Sequence, residues 1–202
     1  MTPLPVLDRT IDAIWERLGD PAVRILLAVT AAGALLVVCV VGWVTQPDRL
    51  SRGYAPGQPI AFSHRLHAGS LAIPCLHCHS GAEKSRVAGV PAVETCMECH
   101  KVTKVDSPAI KRLTAIFDSG GVIAWKRVHS LPGHVFFDHR PHVLAAVACQ
   151  TCHGPVQEMA VVSQRMSMRM SNCLACHRNP KPALPAGSSI ARAPENCNAC
   201  HR

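Results

Sequence analysis

One five-residue unit recurs five times along this 202-residue chain. Cys75-Leu76-His77-Cys78-His79 is the first copy, followed by Cys96 to His100, Cys149 to His153, Cys173 to His177 and Cys197 to His201. The spacing C-x-x-C-H is the attachment signature for c-type haem. Two thiols reach the vinyl groups of one porphyrin, and the next histidine supplies the proximal nitrogen to iron. The thiol pairs are Cys75 and Cys78, Cys96 and Cys99, Cys149 and Cys152, Cys173 and Cys176, and Cys197 and Cys200. The proximal histidines are His79, His100, His153, His177 and His201. Together the units use ten of the eleven cysteines and predict five haem c groups. A disulfide framework does not explain a histidine after every pair, and zinc sites would not require it in all five copies.

Such a repeat changes what counts as a core. Aromatic residues are only 4% of the chain, and apolar residues concentrate near the N-terminus, too few elsewhere for an ordinary soluble domain. Five porphyrins supply the missing apolar faces. The formal charge of +8 is offset by haem propionates, so it gives no argument for a nucleic-acid partner.

Ahead of the motifs, residues 25–44 run for twenty positions without a formal charge. As a helix this spans about 30 Å, the thickness of a bilayer's hydrocarbon core. Trp43 stands where an interfacial aromatic is expected, and Gln46-Pro47-Asp48 ends the run. We read it as an uncleaved anchor rather than a signal peptide, because the leader of 24 residues is long and no small-residue cleavage pattern follows. Residues 1–24 form a cytoplasmic or interfacial segment, with Ile11, Ile14, Trp15 and Leu18 on one helical face. Arg9, Arg17 and Arg24 against Arg49 and Arg52 give only a slight charge bias. Since c-type haem is attached outside the bacterial cytoplasm, the motifs decide the orientation. The expectation is a single-pass protein of the bacterial inner membrane with its haem domain in the periplasm.

Residues 45–60 read as a linker, punctuated by Pro47, Gly53, Pro56, Gly57 and Pro59. The haem domain is expected over 61–202. It contains a second repeat. Phe62-Ser63-His64-Arg65-Leu66-His67 is matched by Phe137-Asp138-His139-Arg140-Pro141-His142, an aromatic followed by H-x-x-H, and each copy precedes two haem motifs. Histidines three apart share one side of a helical turn and can address neighbouring irons. The haem-free interval between the second and third motifs predicts a helix from Ser107 to Phe117, broken at Gly120-Gly121, then a brief strand or extended segment from Val122 to Val128.

Five irons with two axial ligands each need five distal donors. Seven histidines lie outside the proximal set: His64, His67, His77, His129, His134, His139 and His142. The two H-x-x-H pairs fill four places. For the fifth, His129 is the first choice and His134 the second, with the thioethers of Met159 and Met170 as alternatives. His77, inside the first motif, is strained for reaching another iron. A chain with enough donors to saturate every iron suits electron transfer better than catalysis at an open iron, and no substrate site of its own is expected.

Several stretches resemble the pentahaem cytochrome c subunit of bacterial alternative complex III, a quinol oxidoreductase, with similarity over most of residues 20–202. They are Phe62 to Gly69, Val128 to Pro132 with Val135 to His139, Cys152 to Val156 with Glu158-Met159, and Met170 to Cys173 running on to Cys176-His177-Arg178. Ser171 and Asn172 depart from a Met-Gly-Trp-Cys stretch in that family. The resemblance implies a multihaem cytochrome c fold of class III-like type, mostly irregular with short helices around five c-type haems, plus one N-terminal transmembrane helix. It also implies multi-helix quinol-oxidising membrane subunits, an iron-sulfur subunit, a monohaem cytochrome c subunit, and a periplasmic electron acceptor or terminal oxidase. It raises Met159 and Met170 as distal ligands. The competing expectation is a self-contained, membrane-anchored quinol dehydrogenase of the NapC/NirT type, which shares the anchor but generally has four haem motifs.

Overall fold

The computed structural model describes residues 15–46 and 51–201, which fall into two units, one ending at Leu50 and one beginning at Ser51. Ile11 and Ile14 of the expected amphipathic face, and Pro47 to Arg49 after the anchor, lie outside the described residues.

In the first unit, residues 15–19 are helical and are followed by helix α1, Pro21–Val44. Asp20 caps it by accepting from the Ala22 amide at 2.8 Å, and Pro21 occupies the first turn, where its missing N–H costs nothing. Thr30 Oγ1 donates back to the Leu26 carbonyl at 2.9 Å, which hides the polar group of the apolar run inside the helix. Thr45 closes the end, its amide and hydroxyl both donating to the Val41 carbonyl. No residue of α1 is buried, and its mean hydropathy reaches 2.7. Twenty-four residues at about 1.5 Å each exceed the bilayer's hydrocarbon thickness. This is a single apolar segment long enough to anchor the chain in a membrane.

The second unit is a string of short helices. Each haem motif winds into helix, because cysteines three apart must be turned to one side. Helix α2 is Cys75–Cys78. Helix α3, Val93–His100, carries the second motif at its C-terminal end. Helix α4 is Pro108–Asp118, one residue later at each end than the expected Ser107 to Phe117, with Ser107 before it and Gly120 at φ +64° after it. Helices α5, His139–Leu144, and α6, Gln150–His153, follow. Helix α7, Met170–Arg178, bears the fourth motif, and α8, Cys197–Cys200, the fifth.

Few side chains build a core here. Among the described residues seven apolar side chains are buried, and five of them, Ile60, Val93, Met97, Ile110 and Leu113, form one cluster between α3 and α4. Residues 122–128 form no strand, and the Trp125 amide turns back to the Ile123 carbonyl at 2.8 Å. The Gln58 side chain meets this stretch, donating from Nε2 to the Lys126 carbonyl and accepting the Lys126 amide, both at 2.9 Å. Gln164, 1% exposed, holds the start of the unit: its carbonyl accepts from Gly53, its amide donates to Tyr54, and its Nε2 donates to Ser51 Oγ.

Candidate haem-binding sites

The two H-x-x-H stretches fold into matching clamps. His64 precedes a π-helical turn, Arg65–Ser70, and the His67 amide and Nδ1 both donate to the Ser63 carbonyl. In the second clamp Asp138 caps α5 by accepting from the Arg140 amide, and His142 Nδ1 donates to the Asp138 carbonyl at 2.8 Å. One phenyl ring braces each pair. Phe62 meets His64 edge-on at 4.8 Å and stacks on His67 at 4.3 Å; Phe137 meets His139 edge-on at 4.8 Å and stacks on His142 at 4.7 Å. The first turn is wound wider because it lies against the 156–158 turn: a Cβ on Gly69 would run into the Gln157 carbonyl.

Each clamp histidine faces a different motif. Ring centroids are 6.5 Å apart for His64 and His79, 6.2 Å for His67 and His100, 6.2 Å for His139 and His153, and 6.1 Å for His142 and His177. A metal–imidazole bond is about 2 Å, and the ring centre lies about 1 Å behind the bonding nitrogen, so imidazoles on opposite sides of one iron have centres about 6 Å apart. Rotation of either ring about that axis leaves the separation unchanged, so interplanar angles from 2° to 62° all fit.

The fifth motif's histidine, His201, is faced by His134 at 5.6 Å and 21°. An antiparallel bridge between Val135 and His201, and the Phe136 amide donating to the Cys200 carbonyl at 2.7 Å, bring them together. His129 instead meets His153 edge-on at 4.5 Å, too close for an iron between the rings, and its Nε2 is buried without a partner. Met159 is buried, and its carbonyl accepts from the Arg65 amide. Met170 is 61% exposed at the start of α7. His77 points its Nε2 at Glu98 across 3.8 Å.

The second ring nitrogen is fixed at most of these histidines. Nδ1 lies against the carbonyl of Gly89 for His79, Thr103 for His100, Arg86 for His139, Pro194 for His177 and His134 for His201. A carbonyl only accepts, so Nδ1 carries the proton and Nε2 keeps a free lone pair, the tautomer a metal ligand needs. Burial, reinforced by neighbouring imidazoles, pushes His64 and His153 down to about 4. Burial lowers His129 and His142 as well. The rings are neutral near pH 7, the form that binds metal. Burial foremost also raises the thiols of Cys78, Cys96, Cys149, Cys152 and Cys173.

All the described cysteines are free, and no three His, Cys, Asp or Glu side chains among the described residues converge as a metal site by themselves. Paired thiols beside opposed imidazoles therefore fit haem c and not disulfides or zinc. His134 is the residue the sequence left in second place. Its position depends on a bridge spanning from residue 135 to 201, for which its neighbours in sequence carry no marker.

Two comparisons bear on these sites. A family model described as cytochrome c7 and related cytochrome c matches residues 135–202, which include the last three motifs and the second clamp. The chain is 30% identical over 166 residues to the menaquinone reductase, multihaem cytochrome c subunit, of Nitratidesulfovibrio vulgaris, covering 72% of this chain and 78% of that protein.

Proposed function

From a chain that belongs to the family of multihaem c-type cytochrome subunits related to that menaquinone reductase subunit, we propose the membrane-anchored electron-transfer subunit of a quinone oxidoreductase complex. It carries five haem c groups on the periplasmic face of the inner membrane. It exchanges electrons between a periplasmic redox partner and the quinone pool, with quinone chemistry shared with or lodged in partner subunits. The relative is a subunit of a menaquinone reductase, which ties this reading to a quinone. That favours the quinone-dehydrogenase expectation over alternative complex III, which has only the sequence resemblance behind it. The relative is itself a subunit, which speaks for partner chains rather than self-contained action.

The five opposed imidazole pairs carry the proposal. His64 and His79, His67 and His100, His139 and His153, His142 and His177, and His134 and His201 would each hold one iron from both sides. The flanking cysteine pair would attach the ring. Bound haem iron supplies a reversible one-electron change whose potential follows its axial ligands and surroundings.

The chain's residues do the rest. Carbonyls at Nδ1 fix most of these imidazoles in place and raise their basicity. Phe62 and Phe137 keep the clamp rings from turning. With two histidines per site no position is left for a substrate, so the sites conduct and do not catalyse bond changes. Met159 fills the space beside Gly154 and the 156–158 turn, where it lies 3.7 Å from the point a Cβ on Gly154 would occupy. His129 packs behind His153.

Solubilised membranes test this directly. The chain should co-purify with integral membrane subunits, and its haem absorbance should respond to a menaquinol analogue. A chain that purifies alone and ignores quinol contradicts the reading.

A further inference from the structure

Sequence order and spatial order part company at the first two motifs. We propose that the five haem sites form one unbranched row in the order motif two, motif one, motif three, motif four, motif five. This rests on the five-haem reading above and goes beyond it by naming the two ends through which electrons can enter and leave.

The clamps fix two of the four junctions. His64 and His67 sit on one turn and face His79 and His100, so motifs one and two are neighbours. His77 of motif one also reaches Glu98 of motif two, Nε2 to carboxylate at 3.8 Å. On α5, His139 and His142 likewise face His153 and His177, joining motifs three and four.

The middle junction comes from one backbone carbonyl. Arg86, in the loop after motif one, accepts the His139 amide at 3.3 Å and His139 Nδ1 at 2.7 Å. The distal histidine of motif three is thus pinned to the loop of motif one. The last junction joins motifs four and five. The Pro194 carbonyl accepts from His177 Nδ1, the Ala193 amide donates to the His177 carbonyl at 3.0 Å, and Arg178 pairs with Glu195 at 2.9 Å, just ahead of Cys197.

Motif two is an end because its helix α3 turns its other flank to α4, where Val93 and Met97 meet Ile110 and Leu113. The interval 101–148 then carries the chain from the row's end back to its middle. That return is why the longest haem-free stretch falls between motifs two and three.

Magnetic coupling in the oxidised, full-length protein tests the row. Adjacent ferric haems broaden each other's electron paramagnetic resonance. Cys75→Ala with Cys78→Ala removes the haem of motif one and should leave one magnetically isolated haem, that of motif two, with a sharpened signal. Cys96→Ala with Cys99→Ala removes an end and should isolate none. Should the first variant fail to fold, Cys173→Ala with Cys176→Ala should isolate the haem of motif five by the same logic. Sharpening on loss of motif two, or none on loss of motif one or four, overturns the row. Intact mass separates the two failures: each variant must fall by one haem from a wild type carrying five, and a wild type with fewer overturns the five-haem reading and the row with it.

Discussion

His134 and His201 face each other with ring centroids 5.6 Å apart, held by a backbone bridge between His201 itself and Val135, the residue after His134. The geometry repeats the four clamp pairs without belonging to an H-x-x-H stretch. It makes a fifth opposed imidazole pair in which neither His129 nor a methionine takes part.

Replacing His134 should therefore open one coordination position, and replacing His129 should open none. His134→Ala is expected to make one haem per chain bind carbon monoxide after reduction, while His129→Ala leaves the reduced protein inert. His134→Met should restore six-coordination and raise the potential of one haem, because a thioether favours the ferrous state relative to imidazole. Carbon monoxide difference spectra and a redox titration distinguish the variants. Carbon monoxide binding in His129→Ala alone would return the ligand role to His129.

Gly69 tests the first clamp. Its Cβ position is taken by the Gln157 carbonyl, so Gly69→Ala must push apart the Arg65–Ser70 and 156–158 turns. Overpacking of this kind costs about 1–3 kcal/mol. The expected result is a lower denaturation midpoint together with altered spectra for the two haems that His64 and His67 would serve on the proposed reading. Gly57→Ala, with open space around it, should change neither.

The α3–α4 cluster is the part of the second unit built from side chains alone. Leu113 is 3% exposed within it. Leu113→Ala removes most of a buried side chain and should cost about 2–5 kcal/mol. Because Met97 and Val93 of motif two's helix rest on it, the site of His100 should be disturbed first. A denaturant titration followed by haem absorbance checks this; uniform loss at all five sites would show that the cluster does not serve motif two in particular.

Helix α1 predicts a simple fractionation. With Val38 67% exposed and no side chain buried, its surface needs lipid or partner helices. The chain should stay in the pellet after an alkaline carbonate wash of membranes and leave it only with detergent. Recovery in the wash would mean that α1 does not anchor the mature chain.

What the sequence revealed, and what it hid, divides by range. The motifs and both clamps were legible because their chemistry lies within six residues, and one helical turn converts spacing into direction. The α4 helix was legible from Ser107, Pro108 and Gly120 for the same reason. His134 was not, since only the distant Val135–His201 bridge sets its place. Nor was the Arg86 carbonyl, which has no side-chain identity to read yet ties the loop after the first motif to His139 of the second clamp. At 122–128 the β-prone residues found no strand, because the side chain of Gln58 met their backbone instead.

Intact mass of the native chain measures the central claim most directly. Five covalent haem increments on one polypeptide, lost one at a time as each cysteine pair is changed to alanine, is the predicted result. Four or fewer on the unmodified chain, or a mass matching the bare sequence, would contradict it.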